Sequence, residues 1–230
     1  MNSNWLNQVR ATMRKEIWGE SRSRHGIMTS GLFSLLTVVT MALAGANSRP
    51  GPELAAGIIC TVLLFSAIIS VPRTFIVEEE QGTFELMSLL CPPSATFVGK
   101  MLVGLIPTVV SGLLMITIYI GMANIEVRYW PMLYGATFLI CTSLSGAVSL
   151  CGALVLGAAN RWILAGVAGL PLLIPTLYLG VESLQVAIGV GSYGSGIQCM
   201  VGLAGITLAW GSLGPLIAEY IWPKPPVPPA

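Results

Sequence analysis

Six apolar stretches, each close to the length needed to cross a bilayer, are strung along this chain with only short polar segments between most of them. A transmembrane helix takes about 20 consecutive, mostly apolar residues. Runs of that kind extend roughly from Ile27 to Gly45, Leu54 to Pro72, Met101 to Ala123, Pro131 to Gly157, Trp162 to Gly180 and Ile197 to Tyr220. Charge is correspondingly scarce, with 11 Lys and Arg against 10 Glu and no Asp. At 9% charged residues, against about 25% in ordinary soluble domains, the chain needs lipid as part of its solvent. The expected fold is an all-α membrane protein of six transmembrane helices in one transmembrane domain. Its parts are an interfacial helix over residues 1–25, a six-span bundle over 27–221 and a Pro-rich tail over 222–230.

A net charge of +1 and the lack of a basic stripe interleaved with aromatics leave nothing to hold a nucleic-acid backbone. Cys60, Cys91, Cys141, Cys151 and Cys199 are scattered without a CxxC pair, so they read as small buried hydrophobes and imply neither a disulfide framework nor a metal site. About 26 polar and charged residues precede the first apolar run, whereas a signal peptide places its apolar stretch directly behind a short basic start; a retained first span is expected. With six spans, nine basic residues (Arg10, Arg14, Lys15, Arg22, Arg24, Arg73, Lys100, Arg161, Lys224) fall on one side and only Arg49 and Arg128 on the other. Short basic segments stay in the cytoplasm, so both termini are expected there.

The N-terminal segment places Trp5, Leu6, Val9, Met13 and Ile17 at helical spacing, with Arg10, Arg14, Lys15 and Glu16 on the other face. That pattern predicts an amphipathic helix in the membrane interface, its basic side towards anionic cytoplasmic headgroups. The fourth apolar run carries Ser145, Ser149, Ala153 and Gly157 at every fourth position, a face along which helices approach closely. Ionisable residues are nearly absent from the spans, with Glu182 the one candidate, expected at the outer interface. The Gly- and Ser-rich stretch from Glu182 to Gln198 is expected to fold back on the outer side.

The most informative segment is the second cytoplasmic loop, from Arg73 to Lys100. Glu78-Glu79-Glu80-Gln81-Gly82-Thr83-Phe84-Glu85-Leu86 leads through Cys91-Pro92-Pro93-Ser94 to Gly99-Lys100. Thr83 is placed to cap a short helix with Glu85 in its first turn. Pro92-Pro93 ends that helix, and Ser94 caps the next, which enters the third span. The result is an acidic, amphipathic elbow between two spans, suited to receive mechanical work from a soluble partner.

This segment resembles the cytoplasmic element of type-2 ABC exporter permeases. The segment Asn160-Arg161-Trp162 leading into Leu170-Pro171-Leu172-Leu173-Ile174-Pro175 is similar to the double-proline fifth span of one group among them, the haem exporter protein B or CcmB family of cytochrome c maturation. The resemblance implies a permease subunit that forms a homodimer in the bacterial inner membrane and couples ATP hydrolysis by a separate, CcmA-like ATPase to haem export or to release of the haem-loaded chaperone. It implies a haem-handling membrane partner (CcmC-like) and a small membrane subunit as further associates. It also marks Glu78, Glu79, Glu80, Gly82, Thr83 and Glu85 as the ATPase-contacting residues. The chain itself carries no phosphate-cradling G-x-x-x-x-G-K-[ST] loop, since Gly99-Lys100 is followed by Met and Ser94 stands where the first Gly belongs. ATP is therefore expected on the partner, with no cofactor, metal or catalytic residue in this chain. Haem iron is held by His, Cys, Met or Tyr, and the one histidine, His25, lies beside Arg22 and Arg24 at the edge of the first span; haem is expected on a partner, and the substrate-binding residues are not legible.

Three other readings compete. An ABC exporter permease for a lipid, peptide or drug shares the architecture and differs only in cargo. An intramembrane protease needs a Ser/His pair or two Asp at membrane depth, which this chain cannot assemble. A purely structural membrane subunit has no use for the acidic elbow.

Overall fold

The computed structural model describes residues 3–23, 25–44, 50–70, 82, 91–154 and 161–222, and these fold into seven helices: α1 (Ser3–Ser23), α2 (His25–Ala44), α3 (Pro52–Ser70), α4 (Pro93–Ala123), α5 (Trp130–Leu154), α6 (Arg161–Ile188) and α7 (Tyr193–Ile221). The chain is all-helical over these residues. Four helices, α4 to α7, are long and apolar enough to cross a membrane, while α2 and α3 carry shorter apolar stretches, Gly31–Ala44 and Pro52–Ile68.

Local chemistry sets the boundaries. Pro92, extended at φ −63° and ψ 144°, is the N-cap of α4 and Pro93 opens the helix, a position where the missing N–H costs nothing. Ser94, expected as the cap, instead lies inside the first turn. Asn124 ends α4 in the left-handed conformation, φ 52°. Prolines inside α4 (Pro107), α6 (Pro171, Pro175) and α7 (Pro215) are of the kind membrane helices tolerate. The expected fold-back between Glu182 and Gln198 is absent. Glu182 to Ile188 completes α6, a tight turn follows at Gly189 (φ 136°) and Gly191 (φ 99°), and Ser192 caps α7 by accepting a bond from the Ser195 N–H at 3.3 Å. Two glycines free to take positive φ let the chain reverse in a few residues, so the segment's polarity marks a turn and two helix ends.

The bundle is arranged around α5, which packs against α4, α6 and α7. Every residue from Ile140 to Ala153 on α5 is buried. Small side chains make this possible, because they let neighbouring backbones approach closely. Ser145, Ser149 and Ala153 are 0%, 0% and 1% exposed, so that part of the small-residue stripe serves packing within the chain; Gly157 lies outside the described residues. Hydroxyls tie α5 to its neighbours, Ser143 with Thr176 of α6 at 3.0 Å and Thr142 with Thr207 of α7 at 3.4 Å. The helices α2 and α3 pack on each other, α2 also against α4 and α3 also against α4 and α6. Their Val38, Ile59 and Leu63 join the main core beside Ile116 and Tyr119 of α4.

Candidate functional site

The two ends of the bundle are built differently. At one end the C-terminus of α6 meets the start of α5, where the Arg128 and Tyr129 N–H groups donate to the Ala187 carbonyl at 3.1 and 3.0 Å. Tyr129 also packs on Tyr193, which opens α7, with ring centroids 5.1 Å apart. Glu182 sits half-buried in the last two turns of α6 near this end. Trp130 stacks on Tyr134 with centroids 6.0 Å apart, in the manner of interfacial aromatic anchors.

At the other end α1, the start of α4, and the C-termini of α5 and α7 converge. Phe97 of α4 is fully buried against Gly214 of α7, where any Cβ would overlap its ring. Trp222, just past α7, donates its Nε1–H to the Ala153 carbonyl of α5 at 3.3 Å. Together Phe97, Ala153, Ala218 and Trp222 form a small second core directly behind the Pro92-Pro93 break.

The third component at this end is α1. The residues expected to share one apolar face do not do so. Trp5, Val9, Thr12 and Glu16, spaced by four, three and four residues, project in one direction at 100° per residue, and this face meets α4. Val9 and Thr12 are buried, and Trp5 Nε1–H reaches Ser94 Oγ at a long 3.4 Å. Leu6 and Ile17 are exposed, at 47% and 45%, on a neighbouring stripe, and Arg10, Arg14 and Lys15 are exposed beyond it. Trp18 is exposed as well and holds the Arg14 guanidinium 5.8 Å from its ring centroid. Thus α1 is an amphipathic helix with three stripes, the third of which docks on the bundle.

That stripe ends at the least expected feature of the chain. Lys100, placed by sequence in a cytoplasmic loop, lies two turns into α4 with none of its side chain exposed, and its Nζ is 3.0 Å from Glu16 Oε1. Glu16 is itself 12% exposed and also lies 3.7 Å from Lys15 Nζ. Next to this pair, a Cβ on Gly99 would come within 2.8 Å of Thr12 Cβ and Cγ2. Sequence patterning misses this pair because it groups Glu16 with the polar face; the signal available is that Glu16 falls on the Trp5-Val9-Thr12 spacing.

Of the predicted ATPase-contacting residues, Glu78, Glu79, Glu80, Thr83 and Glu85 lie outside the described residues. Gly82 is exposed in a turn at φ 68° with open space around its Cα, the conformation glycine adopts without strain. His25 opens α2, and its side chain lies outside the described residues. Cys60, Cys141 and Cys151 are buried and free, and Cys91 and Cys199 are half-buried and free. Among the described residues no group of His, Cys, Asp or Glu is placed to hold a metal ion.

A chain whose described residues form seven helices, four of them long and apolar enough to cross a membrane, with a polar helix docked at one end, has the build of a multi-pass membrane protein. The family described as CcmB protein matches it over residues 7–218, from the first turns of α1 nearly to the end of α7. The chain belongs to the CcmB family, the haem-export and cytochrome c biogenesis group to which the elbow and the double-proline helix pointed. No individually curated protein matches it.

Proposed function

We propose that this chain is the permease subunit of an ATP-binding cassette complex in cytochrome c maturation, and that it passes work from a separate ATPase to haem export or to release of the haem-loaded chaperone. The observation that carries this reading is the family match, which takes in the α1 docking face, the elbow and the proline-bearing α6 together. The packing of α2 and α3 on α4 and α6, as two further spans would pack, supports six spans. The excess of basic residues on one side of the six-span sequence pattern supports an inner-membrane protein with both termini in the cytoplasm. ATP belongs to a CcmA-like partner, haem is handled by a CcmC-like partner with a small membrane subunit, and two copies of this chain form the permease.

Glu78, Glu79, Glu80, Gly82, Thr83 and Glu85 form the ATPase-contacting surface in this reading. The elbow they occupy ends at Pro92, where the fully buried Ala95 and Phe97 follow, so a displacement there enters the bundle through α4. Purification of the tagged chain from its native membrane in mild detergent tests the assignment. An ATPase together with haem-handling proteins and haem absorbance is the expected result. An ATPase without them redirects the assignment to export of a lipid, peptide or drug, and no ATPase at all overturns it. Within such a complex, replacing both Glu79 and Glu85 by Ala is expected to leave hydrolysis running while cytochrome c maturation stops; a normal cytochrome yield would sink the coupling role of the elbow.

A further inference from the structure

We propose that the groove between α5 and α7 is a binding site for one phospholipid, with an acyl chain lying in the groove and the phosphate held by Arg128. Only the name of the leaflet rests on the function proposed above: with both termini in the cytoplasm it is the outer one.

The groove has a volume of about 380 Å³, and Met132 and Leu139 of α5 line it together with Tyr193, Ile197, Met200 and Val201 of α7. Along α7 it runs from Tyr193 to Ala204, about 16 Å at 1.5 Å per residue. That is close to half of the roughly 30 Å hydrocarbon core of a bilayer. The groove therefore starts in the aromatic layer of Tyr129, Trp130 and Tyr193 and stops near the midplane, the depth that an acyl chain of one leaflet occupies. Its volume also selects the occupant. A second helix, about 10 Å across, would need on the order of 1,200 Å³ over that length, so it can lie across the groove but not in it. A thin, flexible chain fits, and the thioethers of Met132 and Met200 suit such a guest because methionine adapts its shape.

The mouth of the groove supplies the charge. Arg128 is exposed, with its guanidinium carbon 5.4 Å from the centroid of the Tyr129 ring, and Tyr129 packs in turn on Tyr193 of the groove lining. The bond from the Arg128 N–H to the Ala187 carbonyl fixes the backbone there. Arginine stacks on a ring with its plane and still offers N–H groups in a fork that matches phosphate. In the six-span sequence pattern only Arg49 and Arg128 fall on this side, so Arg128 is not one of a general basic layer. Lipid around the other exposed faces of the bundle exchanges freely, whereas a lipid with its chain lodged in a groove and its phosphate held stays with the protein.

Native mass spectrometry of the full chain in mild detergent tests this, with dioleoyl phosphatidylglycerol as the probe and dioleoylglycerol, which has the same chains and no phosphate, as the comparison. The expected result is one phosphatidylglycerol retained per chain after the detergent is stripped, and about tenfold weaker binding of dioleoylglycerol, the size of one charge-assisted hydrogen bond. Arg128→Gln is expected to lower phosphatidylglycerol binding to the level of dioleoylglycerol, and Val201→Trp, at the exposed rim of the groove, to abolish retention of both. Leu208→Trp, two turns further along the same exposed face of α7, is expected to change neither. No retained lipid, equal retention of the two probes, or unchanged retention in Arg128→Gln overturns the proposal. Should Val201→Trp fail to accumulate, Arg128→Gln decides alone, since the exposed side chain can be exchanged without disturbing the core. Retention that disappears when the chain is assembled with its partner subunits means that protein covers the groove, and overturns the proposal equally.

Discussion

Replacing Gly214 by Ala puts a methyl group where the fully buried Phe97 ring already lies, while the same change one turn earlier, at Gly211, meets nothing within 4 Å. Both substitutions gain the backbone contribution of about 0.5–1 kcal/mol that separates Ala from Gly inside a helix. The difference between the two variants therefore isolates the overlap. Phe97 has no exposed surface, so its ring cannot swing outward, and relief must come from moving α4 away from α7. Overpacking of this kind costs about 1–3 kcal/mol. At about 2–4 °C per kcal/mol for chains of this size, Gly214→Ala is expected to melt about 2–12 °C below Gly211→Ala. Buried Cys60, Cys141 and Cys151 supply the assay, because a thiol-reactive fluorophore labels them as the detergent-solubilised chain unfolds. Adding Phe97→Leu to Gly214→Ala should recover part of the loss by returning the volume. Equal melting of the two glycine variants would refute the α4–α7 contact, and with it the second core of Phe97, Ala153, Ala218 and Trp222.

The polar groups of α5 give two further tests. Ser145 and Ser149 bury hydroxyls that have no hydrogen-bond partner among the described residues, and an unsatisfied buried group is costly, so Ala at either position is expected to leave melting unchanged or raise it slightly; a marked drop would mean that something in the assembled complex bonds these hydroxyls. For Ser143 and Thr176, a double-mutant cycle with Ala and Val is expected to give a coupling of about 0.6 kcal/mol, the usual size for interhelical hydrogen bonds in membranes. A coupling of zero would place the two hydroxyls on separate partners.

The apolar helices are legible because the bilayer imposes one length and one composition on any spanning segment, and that pattern survives in a single sequence. The ends are less so. The double proline announces the start of α4, since proline disfavours helix in the residue before it and fits the first position of the helix that follows. The stretch from Glu182 to Gln198 misleads because Gly and Ser dilute its apolar character, although Gly189 and Gly191 are needed only for the reversal itself. Composition averaged over the segment hides two helix ends behind one short turn.

Gly99-Lys100 shows where reading by motif falls short. In sequence the pair fails as a phosphate-binding loop and otherwise only closes the segment that carries the family resemblance. Its meaning depends on a helix 84 residues away in the chain, and α1 does not advertise it, because the division of a helix into one apolar and one polar face lets two stripes of unlike character blur a third. Docking stripes differ from lipid-facing ones in carrying small and polar members, here Thr12 and Glu16, among the large ones. A helix on the surface of a membrane protein that places a carboxylate on the same face as a tryptophan and a valine is then a candidate for packing on protein, since lipid offers that carboxylate no partner. On this argument Glu16 marks the side of α1 that faces the bundle, and Arg10 and Arg14, exposed outside the contact, mark the side turned away from it.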